Sequence, residues 1–351
     1  MTSDSGMKIG VLILNFGEPE HATLDEVVPY LERIFLRNAS LESKRGGAQR
    51  ARELAEARAP GLMEEYRKIG GSPLIQQARK QIRMVGLALR RRGIEVTCYA
   101  GMQFTDPSIV TAVDQAHSDG MEKLIALPVY PLCGMSTTVA ALEDVRAALD
   151  ELDWDVPVRE ITGWHRHPDY LRLRADNILE FVKKQGVDLH AADTRLVFSA
   201  HGTPMRYVEG GPRYVNYVEE ACRMVARGLG TTDYVLGYQN HANRGVKWTE
   251  PEIDDVVKGL EGARIVVEPV SFMHEQSETL SELDGDLKEV AEAAGLEFHR
   301  VPIPHDNPRF ADLLADLVED ALRPEPIMGE LGLRRCLCRA TPTTFCLNAA
   351  D

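Results

Sequence analysis

Cysteine is scarce in this chain, six in 351 residues, which is too few for a disulfide framework. Cys98, Cys133 and Cys222 stand far apart, a usage that suits a reducing cytoplasm. Long apolar runs are missing as well. No uninterrupted stretch approaches the roughly 18 residues that a membrane span needs, so a soluble chain is expected, at most peripheral to a membrane. The first eight residues carry no basic flank and lead straight into the apolar run Ile9–Asn15, which predicts a buried strand rather than a signal peptide. Positive charge is in deficit: 40 Lys and Arg face 54 Asp and Glu, a formal net charge of −14. Phosphate backbones and anionic lipid recruit basic faces, so nucleic acid is not expected as a partner.

What is present is an ordinary globular composition, 44% hydrophobic, at a length where one core has usually stopped growing. Two domains of similar size, or one large α/β unit, follow. Short Val- and Ile-rich runs near 8–15, 94–100, 123–130, 157–161, 195–200, 233–237, 264–270 and 297–302 read as strands. Amphipathic stretches such as 75–92, 137–151, 169–184, 212–229, 278–294 and 309–322 lie between or after them. This alternation predicts a doubly wound parallel sheet covered on both faces.

The sequence also matches itself. Asn15-Phe-Gly-Glu-Pro19 and Ala200-His-Gly-Thr-Pro204 each follow an apolar strand, and Gly101-Met-Gln103 resembles Gly237-Tyr-Gln239. Pro128-Val129, Ser136, Thr138 and Leu142 recur as Pro269-Val270, Ser277, Thr279 and Leu283, always 141 residues later. These are read as two βαβ halves whose strand ends face a shared crevice. The informative positions are those where the halves differ: Phe16 against His201, and Thr137 against Glu278. A base and a carboxylate occur on the second rim alone, as expected where one wall holds an apolar ligand and the other performs chemistry.

His201 sits where an apolar strand turns sharply, and an imidazole there can take a proton near neutral pH or bind a borderline metal. A turn histidine bonded to backbone is the plain alternative. Glu278, Glu282 and Asp286 follow at i, i+4 and i+8 along one helical stripe. A solvated acidic face explains Asp286 best, whereas Glu278, on the rim with His201, could accept protons or guide a cation inward, making the stripe a proton or metal path. His165 and His167, ahead of Pro168, read as a solvated helix start.

Together, Leu12-Ile-Leu-Asn-Phe-Gly-Glu-Pro-Glu20, Tyr66-Arg-Lys-Ile-Gly-Gly-Ser-Pro73, Leu127-Pro-Val-Tyr-Pro131 with Ser136-Thr-Thr138, Phe198-Ser-Ala-His-Gly-Thr-Pro204, Tyr238-Gln239 with Trp248, and Ser277-Glu-Thr-Leu-Ser-Glu-Leu-Asp284 resemble the ferrochelatase family. The likeness spans about residues 8–322. It implies two Rossmann-like domains facing a central cleft without bound nucleotide, here 1–160 and 161–322, the second carrying the catalytic pair, and a cysteine-containing extension, 323–351. It implies insertion of Fe²⁺ into a porphyrin, with His201 and Glu278 at the active site and in contact with the iron. Phe16 and Trp248 would be apolar walls for the macrocycle. Arg58, Tyr66 and Ser72 would meet its propionates, although a helix-surface charge serves Arg58 equally well. Gln103 and Gln276 stand where relatives carry Arg and His. The polar stretch Arg37–Glu53 replaces an apolar, membrane-facing lip, so coproporphyrin remains an alternative to protoporphyrin IX.

The tail carries Cys336, Cys338 and Cys346, three thiols able to chelate a soft centre. By the same resemblance they would hold a [2Fe–2S] cluster with a fourth thiolate. Cys133 is the expected fourth ligand and Cys222 its competitor; zinc, or no metal, is the alternative. Two further readings stay open. One is a chelatase for another tetrapyrrole and metal, with His274 as a second histidine. The other is a non-catalytic haem or iron carrier in which His201 is an axial ligand. A cytoplasmic location is expected, and a homodimer is a possible state.

Overall fold

The computed structural model describes residues 6–38, 47–209, 213–240, 245–323, 332–336, 338 and 341–347. The first half opens with strand β1 (Ile9–Asn15), in which Val11 to Leu14 are completely buried. Such a continuous apolar run is what a strand covered on both faces requires. Helices α1 (Leu24–Asn38), α2 (Ala48–Ile69) and α3 (Leu74–Arg91) follow, then β2 (Thr97–Met102), α4 (Ile109–Ser118) and β3 (Lys123–Pro128). A π-helical turn, Met135–Val139, runs into α5 (Ala140–Glu151), and β4 (Val158–Ile161) ends the unit. Residues 39–46 of the polar stretch fall outside the described residues; the rest belongs to α1 and α2. The inner stripe of α2 is Ala51, Ala55, Ala59, Leu62 and Tyr66, the helical spacing that buries one face.

The second half begins with α6 (Pro168–Gln185) and β5 (Thr194–His201), followed by α7 (Met205–Glu209), α8 (Tyr214–Gly228), β6 (Val235–Gln239), α9 (Ile253–Lys258) and β7 (Arg264–Pro269). A π-helix, Glu278–Leu287, continues as α10 (Lys288–Ala293), before β8 (Glu297–Arg300) and α11 (Pro308–Leu322). All eight expected strands are present. Their order is β2-β1-β3-β4 in one sheet and β6-β5-β7-β8 in the other, all parallel.

The registers coincide too. Leu14 pairs with Gly101 on one side and Pro128 on the other, and Ser199 pairs with Gly237 and Pro269. The repeat seen in the sequence is therefore a repeat of sheet topology and register, and both halves place their π-helical turn after the third strand.

Packing crosses between the halves. Helix α6, which follows β4, lies on the second sheet, where Ala175, Ile178 and Val182 join Leu196 and Phe198. Helix α11, which follows β8, returns to the first sheet, where Phe310, Leu313, Leu314 and Leu317 join Val11, Ile13, Ile125 and Leu127. A partition at 160/161 thus follows the chain but not the core: α11 belongs to the first hydrophobic core. The tail is likewise built into the first sheet. Strands β9 (Arg334–Arg335) and β10 (Thr344–Cys346) extend it past β4, with Phe345 opposite Ile161. Buried Glu160 accepts from Thr344 Oγ1 at 2.5 Å and pairs with Arg146, so the carboxylate is satisfied where it is desolvated.

Candidate active site

In doubly wound sheets the crevice lies beyond the strand C-termini where strand order reverses. His201 ends β5, the strand with β6 on one side and β7 on the other. Its backbone is held from both directions: the N–H donates to Ser271 Oγ at 2.7 Å, and the carbonyl accepts from Tyr214 Oη at 2.9 Å. Its ring Nε2 lies 3.1 Å from Glu278 Oε1.

Glu278 is the first residue of the π-helix, and Gln276 Nε2 donates to its carboxylate. Gln239, at the end of β6, ties this corner together. Its Nε2 donates to the Glu278 carbonyl at 3.1 Å and to Glu282 Oε2 at 3.1 Å, and its Oε1 accepts from Ser199 Oγ at 2.9 Å. The wider π turn brings residues four apart close to one line, so Glu278 and Glu282 share a face while Asp286 emerges into solvent.

Burial works against a charged imidazole at His201, but the charge and hydrogen bond of Glu278, with Glu282 behind them, outweigh it and raise its pKa above the ordinary value. Burial first, and then the charge of Glu278, push Glu282 up to about 8. His201 can therefore take up a proton near neutral pH, with the Glu282 carboxyl nearby that holds one.

Phe16, at the matching exit of β1, belongs to an aromatic cluster. Phe16 lies 4.6 Å from Phe104 and 6.4 Å from Tyr30, centroid to centroid. Trp248 bridges through its backbone to Pro204, three residues past His201. Arg58 stands on the solvent side of α2, 3.0 Å from Glu65. Tyr66 and Ser72 are buried, and the Ser72 hydroxyl donates to Glu18 at 2.5 Å. His274 lies buried with its ring 6.3 Å from that of Phe310, and burial drives its pKa down to about 3.

A ferrochelatase family model matches residues 8–322. The ferrochelatase of Picosynechococcus sp. (strain ATCC 27264 / PCC 7002 / PR-6) is 34% identical, covering 91% of this chain and 84% of that protein. That of Synechococcus sp. (strain RCC307) is 33% identical over 90% and 83%. The chain belongs to the ferrochelatase family. The ferrochelatase of Aquifex aeolicus (strain VF5), 32% identical, is matched over 99% of its own length and 90% of this chain. Among solved structures, SirB from Bacillus subtilis with Fe³⁺ superposes with a TM-score of 0.53 over 90% of this chain and 95% of that one, at 9% identity, a likeness of fold. As a ferrochelatase the protein is a metal chelatase acting on porphyrin and ferrous iron.

In this ferrochelatase fold, Cys338 Sγ lies 3.0 Å from the Tyr217 hydroxyl. Burial, then Cys338, then Cys133 and Cys346 push the Tyr217 pKa up, so three thiols gather about one phenol. Cys336 is buried two residues before Cys338, its N–H donating to the Thr344 carbonyl at 2.8 Å. Cys222 is buried in the same hydrophobic core as Cys133 and Tyr217, its pKa raised by burial and then by Glu268. Thiols on the tail and on the loop after β3 are of the donor type an iron–sulfur centre takes.

The His-x-His pair is not solvated as the sequence reading expected. His165 is fully buried with Nε2 2.9 Å from Glu220, and His167 caps α6 by accepting from the Asp169 N–H. Sequence reasoning also passed over Glu18 and Ser277 as partners. The available signal was the repeat, in which Glu18 takes the place of Thr203. Among the described residues no helix is long and apolar enough to cross a membrane.

Proposed function

We propose that the cleft inserts Fe²⁺ into protoporphyrin IX to give protohaem and two protons, with His201 and Glu278 as the catalytic pair. Free porphyrin carries two pyrrole N–H groups, and its planar ring shields the nitrogens. Insertion therefore needs a distorted ring, bases within reach, and removal of water from the iron. His201 takes a pyrrole proton, Glu278 balances the imidazolium and meets the incoming cation, and Glu282 holds a proton on its way out along the stripe to Asp286. Phe16 and Trp248 hold the macrocycle, with Arg58, Tyr66 and Ser72 on the propionate side. The 3.1 Å approach of His201 to Glu278 at the strand-end crevice carries this reading.

Anaerobic mixing of Fe²⁺ with metal-free porphyrin, followed by visible absorbance, tests it. His201→Ala and Glu278→Gln should each lower kcat by about 100-fold or more, the usual range for a lost acid–base group. Wild-type-like rates in both variants would reject the assignment. Higher kcat/KM for protoporphyrin IX than for coproporphyrin III is expected; the reverse would move the substrate to the tetracarboxylate.

Cys133, Cys336, Cys338 and Cys346 would hold a [2Fe–2S] cluster, a reading supported by the contact of Cys338 with Tyr217 and by the influence of Cys133 and Cys346 on the same phenol. Bound there, the cluster would supply a covalent tie between the tail and the first half and a one-electron store. A cytoplasmic enzyme, active as a monomer or homodimer, completes the reading.

A further inference from the structure

Glu18 is a carboxylate that the chemistry above does not use. It is 2% exposed and leaves β1 in the loop that also carries Phe16. Both of its oxygens are occupied: Oε2 accepts from Ser72 Oγ at 2.5 Å and from the Ser277 N–H at 3.1 Å, while Oε1 accepts from Ser277 Oγ. Ser72 lies between α2 and α3 of the first half, and Ser277 is the residue immediately before Glu278. One side chain thus joins segments 54 and 259 residues away. A buried carboxylate is tolerated only when its lone pairs are satisfied. The donors that satisfy this one come from both sides of the cleft.

The surroundings make the geometry consequential. Burial and then the charge of Glu278 raise the Glu18 pKa to about 7, so the two carboxylates face each other across Ser277. Tyr30 on α1 and Tyr66 on α2 face the same pocket, each with its pKa raised by burial and then by Glu18. The neighbours of Ser277, Glu275 and Glu278, are held within the second half by Arg300 and Gln239, whereas the described contacts of the Ser277 hydroxyl and N–H reach across to Glu18 of the first half.

We propose that Glu18 is a positioning residue that latches the first half onto Ser277 and thereby sets where Glu278 stands against His201. The latch rests on the assignment of His201 and Glu278 as the catalytic pair. Glu18 also holds Ser72 on the proposed propionate side, so the arm that acts on turnover is the Ser277 arm, which Ser277→Ala reads alone in kcat.

The test compares Glu18→Ala, Glu18→Gln, Ser277→Ala and the double variant Glu18→Ala/Ser277→Ala in the full chain, by iron insertion and by thermal melting. Glu18→Ala should lower kcat by about tenfold with porphyrin KM changed by less than about threefold. Ser277→Ala should lower kcat by about fivefold, and the double variant should be no slower than Glu18→Ala by more than about twofold, because both changes remove one contact. Glu18→Gln, which keeps an acceptor oxygen, should recover part of the rate. Melting temperatures should be non-additive in the same way, a readout independent of turnover. Multiplying effects in the double variant, or a kcat for Glu18→Ala within about twofold of wild type, would overturn the latch. Should Glu18→Ala not fold, Ser277→Ala and Glu18→Gln read the same contact. Failure of the catalytic assignment is a different result, an active His201→Ala.

Discussion

Phe16 and His201 occupy one structural position in two halves of the molecule. Each lies two residues beyond the residue that pairs with a glycine on one side and a proline on the other, Leu14 in the first sheet and Ser199 in the second. The same strand exit thus carries an aromatic wall in one half and a base in the other. A duplicated fold that had kept identical rims would offer two walls or two bases. Here the two exits differ, as the proposed site requires.

Truncating each member of this pair should therefore fail differently. Phe16→Ala removes apolar contact area and should raise porphyrin KM by about tenfold while kcat falls by less than about threefold, the pattern of lost uniform binding. His201→Ala should do the opposite. Steady-state kinetics with varied porphyrin separates the two, and equal effects on kcat would contradict the division of labour.

The pH profile follows from the balance at His201. A general base must be neutral, so kcat/KM should climb with pH through the pKa of His201 in the free enzyme. That pKa is raised because the charge and hydrogen bond of Glu278 exceed the opposing effect of burial, which places the acid limb above the ordinary histidine value of about 6.5. Replacing Glu278 by Gln removes the largest raising influence, so the limb of the residual activity should move to lower pH. Glu282→Gln should move it the same way by less. A limb that stays fixed or moves upward in Glu278→Gln would show that another group titrates.

Glu220 offers a test away from the cleft. Its hydrogen bond with His165 comes first, with Arg166 also contributing, and together they lower its pKa from 4.5 to about 2. A depressed carboxylate stabilises the fold above its unfolded pKa, and that stabilisation is lost as pH falls through the folded value. Glu220→Gln should cost roughly 1–2 kcal/mol near neutral pH, allowing for partial solvent screening, and progressively less between about pH 4.5 and about pH 2. Urea melts near pH 7 and pH 3 measure the difference. A cost independent of pH would mean that packing, not charge, is responsible.

Among the cysteines, Cys133→Ser and Cys338→Ser should each remove cluster absorbance and labile sulfide from protein purified anaerobically, whereas Cys222→Ser should retain both. Tyr217→Phe should keep the iron but alter the visible spectrum, because the phenol lies 3.0 Å from Cys338 Sγ and hydrogen bonds to cluster sulfur tune the centre. Retention of full absorbance in Cys133→Ser would exclude that residue as a ligand.

Much of the corner where His201 meets Glu278 is legible in the sequence. The β5 run Arg195–Ala200 is apolar throughout, so a strand ending at His201 follows from local pattern alone, and the repeat pointed to Glu278. Other features were not legible, each for a physical reason. His165 looked solvated because His-x-His before a proline often is; only the packing of Tyr217, with ring centroids 5.3 Å apart, and the approach of Glu220 bury it. Nor does spacing along the chain show that Cys133 and Cys222 are buried in one hydrophobic core with Tyr217. Gln239 matched Gln103 in the repeat, but its role in spanning Glu278 and Glu282 depends on a π turn that periodicity does not distinguish from an α turn.

The amino-acid sequence by itself determined the eight strands, the alternation that makes the sheets parallel, and the duplication that puts Phe16 and His201 at equivalent strand exits, because burial on both faces of a strand writes itself as an unbroken apolar run. Tertiary structure alone decided that α11 returns to the first sheet, that the cysteine tail is a strand of that sheet, and that Glu18 reaches Ser277. Those outcomes depend on surfaces far apart in the chain fitting one another, and such complementarity leaves no periodic trace in the residues that make it.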